Sequence, residues 1–380
     1  MRPPEDDIDW TEHTPEALGM DQAGLSRVVG LVEARGAKAQ LCVLRDGAVV
    51  LDRAFGCEPT SLFWIFSAGK PYTAMLVHLL SQRGRLSLDA PVATYWPEFG
   101  RHGKDRITIR HVLQHRSGLP SGGTLFGDLL AMTDWRRSVR RIQNARPRWP
   151  AGQVPAYQPL AYGFVLGELV RRVTGSPIER LLALELLAPL RSGDTYLGLP
   201  DAEWPRHVPI RAGGPAGVGV ETVLNRRSTR RAVIPAAGVS TTARDLAAFY
   251  LMLLRGGSAD GVRLLEPATV ELARTPTSEG EIDRTVKVPI RWSHGFQLGG
   301  PRPGWPAPGP MGARASRRTF GHNGSGCCIA WADPERGLVV AYLTNRLTTR
   351  SADVRHQTNV ADALLAACDG TTRRAVAGPG

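Results

Sequence analysis

Lysine is nearly missing from this 380-residue chain: Lys38, Lys70, Lys104 and Lys287 are four among 47 basic side chains. Arginine stays protonated in proteins, so any chemistry that needs an amine base is confined to those four positions. Long apolar runs are absent as well. No stretch reaches the ~18 residues of a membrane span, and no membrane partner is expected. The five cysteines (Cys42, Cys57, Cys327, Cys328 and Cys368) are odd in number, scattered and without C-x-x-C spacing. That excludes a disulfide framework and a zinc site, and it fits a reducing cytoplasm. The acidic opening Met1–Asp9 lacks the apolar segment of a secretory signal, which adds to the expectation of a cytoplasmic protein.

Other signatures are missing too. His111 and His115 are four apart, but Val112 stands where a zinc protease motif needs glutamate. Gly69-Lys70 lacks the earlier glycine and the following Ser/Thr of a phosphate loop, and no G-x-S-x-G elbow surrounds any serine. No cofactor or metal is implied. The net charge is +12, with arginines clustered at Arg136, Arg137, Arg140 and Arg141 and at Arg226, Arg227, Arg230 and Arg231. No nucleic-acid-binding signature accompanies them, so solvated faces explain the excess and no nucleic-acid partner is expected.

What is present is a serine three residues before one of the rare lysines, in Phe66-Ser67-Ala68-Gly69-Lys70-Pro71. Residues at i and i+3 share a helix face, so the Lys70 amine reaches the Ser67 hydroxyl. A desolvated lysine is neutral enough to take a serine's proton, and the apolar run Leu62–Phe66 supplies the desolvation. Pro71 suits a first turn, which predicts a helix from near Ser67 to about Gln82. Alone, the pattern equally fits a capping serine beside a solvated lysine.

Helical spacing recurs at 20–35 and 160–174, and a cap at Ser240-Thr241-Thr242 opens the helix of Leu246–Leu254. Leu41–Leu51 reads as a hairpin turning at Asp46-Gly47. Strand character returns at 289–298, 327–332 and 338–343, and residues 358–368 predict a closing helix. Strands at both ends and helices between them predict an α+β fold: an antiparallel sheet built from the two ends of the chain and flanked by helices, with an all-α lobe inserted. One catalytic domain over 1–380 is expected, its sheet region at 20–82 and 258–370 and its helical lobe at 83–257.

With that layout the chain resembles the serine β-lactamase and penicillin-binding-protein superfamily, nearest to class C β-lactamases and family VIII carboxylesterases. Three motifs in order carry the likeness: Ser67-Ala68-Gly69-Lys70, Tyr157 after Pro150-Ala151-Gly152, and His322-Asn323-Gly324-Ser325. The resemblance implies that Ser67 is acylated, that Lys70 and Tyr157 share the base's work, and that the backbone N–H groups of Ser67 and Ser325 hold the oxyanion. A phenol of ordinary pKa near ~10 serves as phenolate only where cations lower it. His322, Asn323 and Gly324 are assigned to substrate binding, and Trp64, Trp292, Phe126 and Phe296 are candidates for an apolar acyl pocket.

Two departures bear on substrate. Pro159 stands where the β-lactamases carry an asparagine, and His322 where they carry a lysine that engages the substrate carboxylate. Both changes weaken recognition of β-lactams and peptidoglycan peptides. The expected activity is therefore hydrolysis of a small-molecule carboxylic ester through a Ser67 acyl-enzyme. The alternatives are a transacylase using an amine or alcohol acceptor, with an acidic acyl-carrier partner to suit the arginines, then a β-lactamase or DD-peptidase, and then an inactive binding module.

Overall fold

Three strands with period-two alternation organise the molecule. A computed structural model describes residues 8–214, 217–259 and 261–376, the last seven of these as backbone only. Strand β1 is Ala39–Arg45, β2 Ala48–Phe55, β3 Gln297–Leu298, β4 Phe320–Gly324, β5 Cys328–Asp333 and β6 Leu338–Thr344. They form one antiparallel sheet in the order β2-β1-β6-β5-β4-β3, with Val43 opposite Val340 and Ala330 opposite Ala341. The first and last thirds of the chain thus meet inside the sheet, where β1 pairs with β6.

Leu41, Val43, Ile329, Trp331, Val340 and Tyr342 point to one face. There they pack against helix α1 (Gln22–Ala34) and helix α7 (Arg350–Val376), through Leu25, Val28, Leu364 and Leu365. The alternate residues Cys42, Leu44, Cys328, Ala330, Ala341 and Leu343 fill the other face. Helix α6 (Ala243–Leu254) lies across β1, β5 and β6 on that side. Helices cover both faces, so β5 and β6 read as nearly unbroken apolar runs, and each fully buried Leu or Val contributes ~1.5–3 kcal/mol. The β1–β2 hairpin turns at Asp46 (φ 48°) and Gly47 (φ 85°). Two consecutive positive φ values give the primed turn whose twist matches the strands it joins.

Between β2 and β3 lie helix α2 (Lys70–Gln82), helix α3 (Leu125–Ala131), helix α4 (Trp135–Asn144) and helix α5 (Ala161–Thr174). Helix α5 packs on both α2 and α4. A small three-stranded sheet of Phe63–Trp64, Val239–Thr241 and Tyr196–Leu197 ties the start of α2 to the segment before α6.

The structure corrects several boundaries. The segment 289–298 is not a continuous strand, since only Gln297–Leu298 joins the sheet. Ser293 donates its N–H to Phe296 O (3.0 Å) and Gly295 has φ 138°, so a tight turn interrupts it. Helix α6 belongs to the sheet layer by its packing, although its sequence position falls within 83–257. Its cap is Thr242, which accepts from Asp245 N–H, while Ser240 and Thr241 lie in a strand. His322–Gly324 lies inside β4, the strand that pairs with β5. The closing helix spans Arg350–Val376, longer than expected. Among the described residues no helix is long and apolar enough to cross a membrane.

Candidate active site

Ser67 sits in the single 3₁₀ turn Phe66–Gly69, and α2 starts at Lys70. The turn is held from below, where Ile65 N–H donates to Val239 O at 3.0 Å. Phe66, next to the serine, has φ 50°, a left-handed conformation that costs energy for a bulky residue and projects the serine outward. The end of β4 forms the opposite wall. A Cβ on Gly324 would lie 1.9 Å from Ile65 O, so only glycine lets β4 come this close to the Ser67 turn.

Lys70 is completely buried, and its Nζ has three neighbours: Ser67 Oγ at 3.0 Å, Pro159 O at 2.9 Å and Ala236 O at 3.0 Å. No carboxylate is among them, and desolvation alone holds the amine well below the usual lysine range. A neutral amine has two N–H groups and one lone pair. The two carbonyls take the N–H groups, which turns the lone pair to the Ser67 hydroxyl. Tight packing fixes one of these carbonyls: a Cβ on Gly163 of α5 would lie 2.2 Å from Ala236 N.

The Tyr157 hydroxyl donates to Ser67 Oγ at 2.6 Å. Desolvation of that hydroxyl pushes its pKa up, against the smaller opposing pull of Ser67 and Arg350, and the Asp283 charge adds to the rise. The condition for a phenolate, a phenol lowered by cations, is therefore not met, because burial outweighs them. Tyr157 is a proton donor here and Lys70 is the group able to accept. Ser67 and Tyr157 keep part of their surface open while Lys70 does not, so the group is reached through the two hydroxyls and not through the amine.

Asp283 sets the position of Tyr157. This fully buried carboxylate accepts the Tyr157 N–H with both oxygens (3.1 and 2.9 Å) and the Trp292 indole N–H at 3.0 Å. It also accepts the N–H groups of Thr285 (2.8 Å) and Val286 (3.0 Å). The Trp292 ring lies parallel to the Tyr157 ring, 2° between planes and 5.4 Å between centroids. His115 closes the stack at 4.4 Å from the Trp292 ring, and its Nδ1 accepts from Gln158 N–H at 3.3 Å. Sequence reasoning missed Asp283, which belongs to no motif and stands far along the chain from Tyr157. His111 completes the capping box of the short helix Ile109–Leu113.

The other candidates separate into two groups. Asn323 is half-buried and accepts from Gln297 Nε2 at 3.1 Å, and Ser325 is exposed with φ 48°, so both border the open side. His322 is buried, its Nδ1 lies 2.7 Å from Asn323 O, and burial pulls its pKa down to about 3. A neutral ring cannot be the cation that a substrate carboxylate needs. Trp292 backs Tyr157, and Trp64 is buried between Phe66 (5.0 Å) and the Arg230 guanidinium (5.0 Å). Phe296 packs on Phe320 at 5.2 Å, whereas Phe126 is 71% exposed on α3, so neither is part of the cluster around Ser67.

Comparison with known proteins follows the same lines. The family model described as Beta-lactamase matches residues 27–365. "Esterase/beta-lactamase LipL" of Mycobacterium tuberculosis is 34% identical over 315 residues, covering 74% of this chain and 69% of its own. A penicillin-binding protein homolog from Caulobacter crescentus superposes with a TM-score of 0.77 at 27% identity, covering 94% of this chain and 99% of the other. EstA from Arthrobacter nitroguajacolicus Rue61a superposes with a TM-score of 0.76 at 25% identity, covering 91% and 97%.

Proposed function

The chain belongs to the Beta-lactamase family, and we propose that within it this serine hydrolase cleaves carboxylic esters through an acyl-enzyme on Ser67. One observation carries the reading: Ser67 Oγ lies 3.0 Å from a buried, carboxylate-free lysine amine and 2.6 Å from a phenol.

Ser67 Oγ gives its proton to Lys70 Nζ and attacks the ester carbonyl carbon. The oxyanion is met by the backbone N–H groups of Ser67 and Ser325, each such donor contributing ~3–4 kcal/mol. As the tetrahedral adduct collapses, the carbon–oxygen bond to the alcohol breaks. The alcohol takes a proton from Tyr157, which is refilled from Lys70. Water then repeats the sequence: its proton goes to the Tyr157–Lys70 pair, it attacks the acyl carbon, and Ser67 leaves and recovers a proton.

Two features favour esters over β-lactams. Pro159 contributes only its main-chain carbonyl, which Lys70 occupies. His322 is neutral and buried, so β4 offers no cation for a carboxylate. The LipL name carries both activities, and esters are the half that these two features suit. Five free thiols support a cytoplasmic setting.

The test is a fluorophosphonate probe with intact-mass readout, alongside p-nitrophenyl ester turnover. Wild type is expected to gain one adduct on Ser67 and Ser67→Ala none. Equal labelling of the two removes Ser67 as nucleophile. Acyl groups delivered only to an added amine or alcohol, and never to water, replace hydrolysis by transfer.

A further inference from the structure

Helix α3 turns its apolar side outward. Leu125, Phe126, Leu129 and Leu130 all face solvent, with Phe126 71% and Leu130 58% exposed. Its inner side is fastened by the buried Asp128, which accepts Gly122 N–H at 2.8 Å and pairs with Arg141 at 3.2 Å. Four apolar side chains gathered on one exposed arc are uncommon without something to cover them.

The neighbouring surface is cationic. Arg137, Arg140 and Arg141 stand at i, i+3 and i+4 on α4, while Ser138, Val139 and Ile142 fill its buried side. With Arg146 and the backbone of Gly122 and Gly123 they line a cavity of about 540 Å³. Asp128 already engages Arg141, and among the described residues no carboxylate lies within ion-pair distance of Arg137, Arg140 or Arg146. Beneath the cavity Lys104 donates to Gln143 O (3.0 Å) and Ala145 O (2.6 Å). Burial, and after it the charges of Arg146 and Arg101, bring its amine down to about 8.

An occupant must therefore be anionic and apolar within a few ångströms. A free polyanion satisfies the arginines and leaves Phe126 and Leu130 in water. The headgroup boundary of an anionic bilayer supplies phosphates and acyl chains together. We propose that α3 and the arginine cavity form a peripheral docking surface for an anionic phospholipid bilayer, with lipid phosphate in the cavity and the exposed leucines and Phe126 at the acyl-chain boundary. The segment leading into the cavity is tied to the catalytic wall, since Leu119 O accepts from the side chain of Gln158, next to Tyr157, at 3.1 Å. Resting on the function proposed above, the substrates are then esters dissolved in the bilayer.

Flotation of the full chain with vesicles of mixed phosphatidylglycerol and phosphatidylcholine, against phosphatidylcholine alone, tests the docking. Binding is expected only to the mixed vesicles, weakened about tenfold or more in Arg137→Glu/Arg140→Glu and in Leu130→Asp. Both variants should melt like wild type and hydrolyse soluble p-nitrophenyl acetate unchanged. No binding, equal binding to neutral vesicles, or binding undiminished in both variants overturns the proposal. Retention on immobilised polyglutamate without vesicle binding assigns the surface to an acidic protein instead and overturns it too. Fluorophosphonate labelling of Ser67 in vesicle-free solution reports on the catalytic reading separately, so either can fail while the other stands.

Discussion

Two buried lysines make an instructive pair. Lys70 and Lys104 are both fully buried, both meet three oxygen acceptors, and neither has a carboxylate. The difference is one atom. All three acceptors of Lys104 are carbonyls (Arg101, Gln143 and Ala145), which only an ammonium with three N–H groups satisfies. At Lys70 the third acceptor is the Ser67 hydroxyl, which can return a proton, so a neutral amine fits without leaving any group unpaired. Burial weakens both ammonium ions, and the identity of the third partner decides whether the outcome is a base or a cap.

The comparison can be broken most sharply at Lys70. Lys70→Met should lower kcat/KM for a p-nitrophenyl ester by about a thousandfold or more and abolish Ser67 labelling, whereas Lys104→Met should leave both unchanged. Comparable losses from the two substitutions would end the distinction. Tyr157→Phe comes next, with an expected loss of about a hundredfold in kcat because the leaving alcohol and the attacking water lose their proton relay. Unaltered turnover would take the phenol out of the mechanism.

Asp283→Asn sharpens the contrast between chemistry and support. The amide turns an N–H toward the N–H donors that now share a carboxylate. The expected result is a fall in kcat of roughly tenfold with KM little changed, and a basic limb displaced downward because the Asp283 charge now raises the phenol. A drop in stability with an unmoved pH profile would make Asp283 purely structural. The pH profile of wild type adds a finer check. Activity needs neutral Lys70, whose pKa lies below the ordinary value, so kcat/KM should fall as pH drops through that lowered value, with a slope of one proton. The smallest effect is on stability: Lys104→Met should cost ~1–3 kcal/mol by denaturant unfolding, from carbonyls left without donors.

How far the sequence reveals such a site depends on where each partner sits. Ser67 and Lys70 are legible because helix geometry fixes residues three apart, and the β5–β6 hairpin because Asp333–Gly337 separates two apolar runs. Tyr157 and β4 come into view only through resemblance, since no local rule joins them to Ser67. The carbonyls of Pro159 and Ala236 are invisible in principle, because every residue carries one and only the fold selects which points at Lys70. Asp283 is hidden for a related reason: its value lies in four N–H groups brought together by the fold. Segment 289–298 misled because its apolar residues mimic a strand while Ser293 and Gly295 make a turn.

The sheet also constrains how the chain comes off the ribosome. β1 lies between β2 and β6, and the whole helical lobe is synthesised between those two neighbours. While that lobe is being made the early hairpin has an apolar edge without its partner, a template for pairing with a second nascent chain. Keeping that edge covered until its distant strand arrives is the task this topology sets for the folding chain.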